Sequence, residues 1–325
     1  MANVLVVGGA GYVGGALTDA LLLTDHNVRV YDSLVYEEAY RKPIDFTLGD
    51  IRDWNSLDPH LKWADVVVWL AALVGDGASA MDPKLTQEIN NHSVRKLAGR
   101  FDRRVIFTST CSVYGAQDGL LDEESPLNPL SLYAQTKLEA EKHLRDRDAM
   151  IFRLGTLFGV GDHFSRIRLD LVLNVLTVKA CLYNRISVFG GDQYRPLLHV
   201  RDIADAIAQN IETPHRGLYN LHAVNVRITD LAEMMQRYFP DLEVQRTEMK
   251  FQDSRNYRVT SEKARRTFGF SPKHDIEESI VELREIVRSN RIKNVAIPRH
   301  SNHRYLKELL ERPASPLGYE APIDL

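Results

Sequence analysis

Cysteine is nearly absent: Cys111 and Cys181 are the only two in 325 residues, and neither sits in a C-x-x-C or Cys/His cluster. That excludes a disulfide framework and a zinc site, so no metal is expected and a reducing compartment fits best. Long apolar runs are missing too, since no stretch reaches the roughly 18 residues of a membrane-crossing helix. The N-terminus runs straight into a strand without a basic leader and apolar segment. The expectation is a cytoplasmic protein with no membrane partner. Charge of one sign is also lacking. With 41 Lys+Arg against 44 Asp+Glu, the formal net charge is -3, which gives no general basis for gripping nucleic acid. Any anion site must be local. Internal repeats and low-complexity runs do not occur.

What remains is an ordinary globular composition, 44% hydrophobic and 26% charged, in a chain long enough to bury a full core. Its length suits a two-domain enzyme or one large α/β unit. The chain is organised around Val4-Leu5-Val6-Val7-Gly8-Gly9-Ala10-Gly11-Tyr12-Val13-Gly14-Gly15. Four apolar residues read as a buried strand, the glycines as a tight turn, and Leu17 and Leu21 as the inner face of a helix. Gly9 to Gly14 satisfies G-x-G-x-x-G, whose glycines permit the turn, the approach of a pyrophosphate and tight helix packing. The helix N-terminus offers unpaired N–H groups to the phosphates. Glycine turns also serve as plain connectors, so weight comes from Val28-Arg29-Val30-Tyr31-Asp32. This second strand ends in an acid 18 residues beyond Gly14, near the spacing of about 20 at which a carboxylate meets the adenosine ribose. Asp32 would repel a 2'-phosphate, which points to NAD over NADP.

Further strands are expected at Ile44–Ile51, Asp65–Ala72, Arg104–Ser109 and Met150–Gly155, with helices at Pro83–Phe101 and Ser131–Leu144. This alternation predicts right-handed βαβ crossovers and a Rossmann-type, doubly wound parallel α/β sheet over residues 1–165. Beyond that the pattern loosens. A helix at Leu169–Tyr183, a strand at Ile186–Phe189, a strand near Leu218–Leu221 and helices after Asp202, Thr229 and Asp275 suggest a smaller α+β lobe over 166–325. Leu197–Val200 and Tyr219–Leu221, within about 195–225, are expected to return to the main sheet, so the lobes interleave. The tail from Arg291, basic and then proline-rich, is assigned no chemistry.

Tyr133-Ala134-Gln135-Thr136-Lys137 is a Y-x-x-x-K on a helix capped by Ser131, and its spacing puts phenol and ammonium on one face. A tyrosine has an ordinary pKa of about 10, but a nearby ammonium and a positive nicotinamide ring favour its phenolate. Such a phenol can take a proton from a sugar hydroxyl as hydride leaves for NAD. The competing reading is a surface tyrosine beside a solvated lysine. Thr110 follows the strand that carries Thr108, at the sheet edge where ligands bind. Its hydroxyl can donate to the substrate oxygen, whereas Ser109 and Ser112 read as hydroxyls satisfying loop backbone.

These motifs resemble the extended short-chain dehydrogenase/reductases of the NAD-dependent nucleotide-sugar epimerase/dehydratase type, including the UDP-glucose 4-epimerases. The similarity runs from Val4 to about Ile286. The resemblance rests on Gly8-x-x-Gly11-x-x-Gly14, Asp50-Ile51, Leu70-Ala71-Ala72, Thr110 with Val113-Tyr114-Gly115, Tyr133 with Lys137, and Arg195 with His199 and Asp202. It implies Thr110, Tyr133 and Lys137 as the catalytic set. The NAD contacts it implies are Gly8, Gly11, Tyr12, Val13, Gly14, Asp32, Asp50, Ile51, Leu70, Ala71, Ala72, Asn90 and Thr108, with Tyr133 and Lys137. A nucleotide-diphosphate sugar would meet Thr110, Thr156, Asp170, Leu171, Phe189, Arg195 and Arg255. Departures narrow the chemistry. Trp69 stands where many members have histidine, Thr156 where many have asparagine, and Pro196 where aspartate is usual. The 4,6-dehydratases follow the catalytic hydroxyl with Asp-Glu, and here Cys111-Ser112 follows, which argues against dehydration. The 3,5-epimerising members place a cysteine two positions after it, where this chain has Ser112. The expectation is hydride transfer at sugar C4 by a 4-epimerase. The alternatives are a 4-dehydrogenase or 4-ketoreductase that stops at one redox step and, remotely, a non-catalytic NAD sensor. Pairing of helices Pro83–Phe101 and Ser131–Leu144 with their copies would make a homodimer.

Overall fold

The computed structural model describes residues 1–247 and 255–311. Alternating burial builds the centre of the molecule. In strand Asn3–Val7, Val4 and Val6 face one core while Leu5 and Val7 face another, as a pleat with helices on both sides requires. Seven strands form one sheet in the order Gly217–Leu221, Ala149–Leu154, Arg104–Thr110, Val66–Trp69, Asn3–Val7, Asn27–Asp32, Asp45–Leu48. Every neighbouring pair is parallel. Strand order reverses beside Asn3–Val7, so the crevice for a ligand lies at the C-terminal ends of that strand and of Val66–Trp69.

Helix Tyr12–Leu21 buries Leu17 and Leu21 and packs on Val200–Gln209. On the opposite face, Pro83–Gln87 runs through a π-turn, Glu88–His92, into Ser93–Arg100, beside Leu132–Leu144. Ser131 caps that last helix, accepting from the Ala134 N–H at 3.2 Å.

One expected return to the main sheet does not occur. Gly217–Leu221 joins its edge, but Tyr194–His199 instead pairs with Thr156–Phe158 and Val224–Arg227 in a separate three-stranded sheet. Gly155 is the cause: its N–H goes to the Leu221 carbonyl at 2.9 Å, and a Cβ there would lie 2.9 Å from the Pro196 oxygen. The chain thus leaves one ladder and starts another. Around the small sheet, helices Val172–Tyr183, Ile228–Tyr238 and Ile276–Arg288 enclose a third core. Residues 298–311 depart from the expected lobe as well. Helix Asn302–Glu311 returns to the core that Leu5 and Val7 face, where Leu306 is fully buried. The proline-rich end of the tail lies outside the described residues.

Candidate active site

The glycines of the first turn are separable by geometry. Gly8 has φ +88°, and a Cβ on it would lie 2.5 Å from the Ala71 nitrogen, so the first turn requires glycine both conformationally and sterically. A Cβ on Gly14 would lie 2.5 Å from the Gly8 oxygen and from Gly9 Cα. Gly11 differs: its Cβ would meet only the Gly8 oxygen, at 3.4 Å. Nothing in the fold excludes a side chain there, and Gly11 N-caps helix Tyr12–Leu21 without a side-chain bond. The first N–H groups of that helix therefore face a cleft suited to an anion. Beneath, the Lys42 ammonium lies 2.6 Å from both Asp19 and Asp162 and donates to the Gly15 carbonyl, fixing the helix from below.

The cleft brings together Gly8, Gly11, Tyr12, Val13, Gly14, Asp32, Asp50, Ile51, Leu70, Ala71, Ala72, Thr108, Tyr133 and Lys137. Asp32 accepts from Ala10 N–H at 3.0 Å and Leu34 N–H at 2.7 Å, so it shapes the turn while lining the cleft. Burial raises its pKa, opposed by those backbone bonds.

Tyr133 and Lys137 share one face of their helix, and the Lys137 ammonium donates to the Thr108 carbonyl at 2.8 Å. Burial raises the Tyr133 phenol pKa, Asp76 adds to the rise, and Arg168 and Arg255 oppose it. Burial likewise lowers Lys137 to about 7, opposed by Glu141. The phenol is therefore raised where the sequence led to an expectation of lowering, with desolvation the largest cause. Further along the same helix, Glu141 takes a bidentate pair from Arg153 at 2.7 and 3.0 Å and a bond from Ser109 Oγ at 2.5 Å. This buried network ties the helix to strands Arg104–Thr110 and Ala149–Leu154.

Thr110 lies outside the cleft lining. Its Oγ1 accepts from Ser112 N–H at 3.1 Å, which leaves the hydroxyl proton to be donated elsewhere. Asn90 does not line the cleft either. Buried in the π-turn, it accepts from Leu73 N–H at 2.8 Å and donates to the Leu73 carbonyl at 3.0 Å and to Thr136 at 3.3 Å. It holds the backbone of the cleft-lining Leu73. Cys111 is a packed residue whose thiol donates to the Arg153 carbonyl at 3.3 Å.

Of the residues expected to meet the sugar nucleotide, Thr156, Asp170, Leu171, Phe189, Arg195 and Arg255 also lie outside this lining. Arg195 donates to the Tyr194 and Arg255 carbonyls. Arg255 lies 3.0 Å from Ser112 Oγ and 3.2 Å from Asp76, while Asp76 accepts from Ser131 at 2.6 Å. Asp170 is held by Arg168 at 2.6 Å and by Asn302 N–H at 2.9 Å. Sequence reasoning missed Tyr36, Glu37, Arg166, Arg168 and Asn302, all of which line the cleft. The Arg-x-Arg-x-Asp run after the Gly159-Val160-Gly161 turn was the available signal for two of them. No group of three or more His, Cys, Asp or Glu able to hold a metal occurs among the described residues. No described helix is long and apolar enough to cross a membrane.

Comparison with known proteins places this geometry in context. The chain is 29% identical over 316 residues to a UDP-glucose 4-epimerase of Rhizobium leguminosarum bv. trifolii, covering 86% of this chain and 95% of that protein. It is 28% identical over 233 residues to the N-acetyl-alpha-D-glucosaminyl-diphospho-ditrans,octacis-undecaprenol 4-epimerase of Escherichia coli O157:H7, covering 67% and 66%. Among solved structures, MoeE5 in complex with UDP-glucose and NAD superposes with a TM-score of 0.75 at 25% identity, over 89% of this chain and 100% of that one. The family model described as NAD dependent epimerase/dehydratase matches residues 4–226. The seven-stranded parallel sheet, the glycine turn with its cleft and this match together make the chain a member of the NAD dependent epimerase/dehydratase family, and an enzyme.

Proposed function

We propose that this protein is a nucleotide-sugar 4-epimerase that uses NAD and the catalytic set Thr110, Tyr133 and Lys137. The observation that carries this reading is that Tyr133 and Lys137 line the same cleft as the glycine turn. The 4-epimerase names of the relatives above support it. The donor set fits a dinucleotide. Gly11 to Gly14 leave room and N–H groups for a pyrophosphate, Asp32 suits the adenosine ribose, and Asp50 and Ile51 suit the adenine. Lys137 and Thr108, with small Ala71 and Ala72, suit the nicotinamide end. When bound, NAD supplies the acceptor and later the donor of the C4 hydrogen with its electron pair, and its oxidised ring adds positive charge beside Tyr133. Tyr133 takes the C4 hydroxyl proton and returns it. Thr110 donates its hydroxyl proton toward the same oxygen. Lys137 opposes protonation of the phenol and holds the dinucleotide ribose. Asp32 makes NAD the preferred dinucleotide over NADP. Arg195 and Arg255 mark the side from which the nucleotide diphosphate would approach, since a guanidinium fork suits phosphate oxygens. We further propose a cytoplasmic homodimer joined through helices 83–100 and 132–144.

The test is to incubate the purified protein with a panel of UDP- and dTDP-sugars and follow the products by NMR. One sugar should equilibrate with its C4 epimer without net NADH. Stoichiometric NADH formation would instead mark a 4-dehydrogenase.

A further inference from the structure

Residues 298–311 lie outside the span matched by the family model, yet they build part of the cleft. Arg299 donates to the Tyr36 carbonyl at 3.0 Å and to Glu37 at 2.9 Å, and lies 2.7 Å from Glu38. His300 joins the opposite loop through the Leu169 N–H at 2.9 Å. Asn302 donates to the Val74 carbonyl at 3.0 Å and accepts from Arg166 Nη2, while Arg166 Nη1 donates to the Arg299 carbonyl at 2.6 Å. Leu306, fully buried, anchors the following helix. One short segment therefore joins the loops after three different strands.

Two observations point to a ligand at this wall. The Arg166 side chain is only 7% exposed, with Glu37 3.9 Å from its Nε; it lines the cleft with Arg168, and burial and Arg168 lower its pKa to about 10 against the opposing pull of Glu37 and Asp170. An anion would relieve both effects. Second, Tyr36 lines the cleft and has a buried hydroxyl with no hydrogen-bond partner among the described residues. Such a group is costly unless a ligand or water pairs with it.

We propose that residues 298–311 form a strap that completes the dinucleotide site, presenting Arg166 to the phosphate oxygens and slowing release of bound NAD. The proposal rests on the dinucleotide occupying this cleft. A slowly released NAD suits an enzyme that returns the hydride it takes, because the cofactor ends each turnover unchanged.

The experiment loads the full-length protein with radiolabelled NAD and follows its release into excess unlabelled NAD. Arg299→Ala and Asn302→Ala should each release label about tenfold faster or more, the expected scale for losing a charged hydrogen bond. The exposed Arg304→Ala on the same helix should release within twofold of wild type. Melting of the NAD-free proteins reports whether each variant folds. Arg166→Lys, which keeps charge but loses the planar fork, should weaken NAD severalfold in an equilibrium titration. Folded Arg299→Ala and Asn302→Ala proteins that release NAD at the wild-type rate would overturn the strap, as would unchanged affinity in Arg166→Lys. A wild-type protein that takes up no NAD at all would overturn the dinucleotide reading itself, and the strap with it.

Discussion

Replacing Asn90 by Ala removes a side chain that does not itself line the cleft, yet the cost should be measurable. The residue is 1% exposed, and its amide pairs with both backbone groups of Leu73, itself 3% exposed. The Leu73 carbonyl keeps the Ser79 hydroxyl as a donor at 3.1 Å, so the truncation strands one buried group, the Leu73 N–H, at a cost of about 1–3 kcal/mol. Entry of a water would bring the loss toward the lower end. Thr136 contributes little, because its hydroxyl still donates to the Tyr133 carbonyl at 2.9 Å. Urea unfolding of the NAD-free protein should therefore show a loss of about 1–3 kcal/mol. Asn90→Asp keeps the acceptor for Leu73 N–H and loses the donor, and it buries a charge, so it should rescue nothing. Because Leu73 lines the cleft, NAD affinity should fall in both variants. A loss below about 0.5 kcal/mol for Asn90→Ala would refute the view that this amide holds the Leu73 backbone.

Three further outcomes are expected. Tyr133→Phe preserves ring volume and should retain NAD binding while turnover falls by about 100- to 10,000-fold, the usual worth of a general acid-base group; steady-state kinetics on the identified sugar nucleotide checks it. Gly8→Ala should destabilise the fold, because φ +88° and a contact of 2.5 Å leave no room, whereas Gly11→Ala should melt normally and lose NAD; calorimetry and titration separate the two. Burial pushes His222 down to about 4, while Asn225 donates to its Nε2 at 3.1 Å. The unfolded chain, titrating near 6.5, then binds more protons between about pH 4 and 6.5, so acidification through that window destabilises the fold by about 3 kcal/mol from this group. His222→Gln should flatten the dependence in urea titrations.

The sheet was legible because its signals are local: four apolar residues before a glycine turn, and an acid at the end of the next strand. Tyr133 and Lys137 were legible for the same reason, their spacing being that of one helical turn. The fate of Leu197–His199 was not, since its buried, apolar character suits either sheet and the choice is made by the bend at Gly155. Asn90 could be placed near the cofactor but not given its contact, because the π-turn that aims it inward leaves no periodic trace. Asn302 and Arg299 were invisible for a different reason. Their partners Arg166, Glu37 and Val74 are more than 130 residues away in sequence, and only the folded chain brings them together. The tyrosine–lysine pair carries the opposite lesson: the pairing follows from spacing, but burial pushes the phenol up and the ammonium down.

The most direct test of the central claim uses a nucleotide sugar carrying deuterium at C4, chosen from the panel as the substrate. Retention of the label at C4 of the product epimer, without accumulation of NADH, is the result expected of hydride withdrawal and return within one site. Loss of the label to solvent, or a labelled NADH released in proportion to a keto sugar, would contradict the proposed epimerisation.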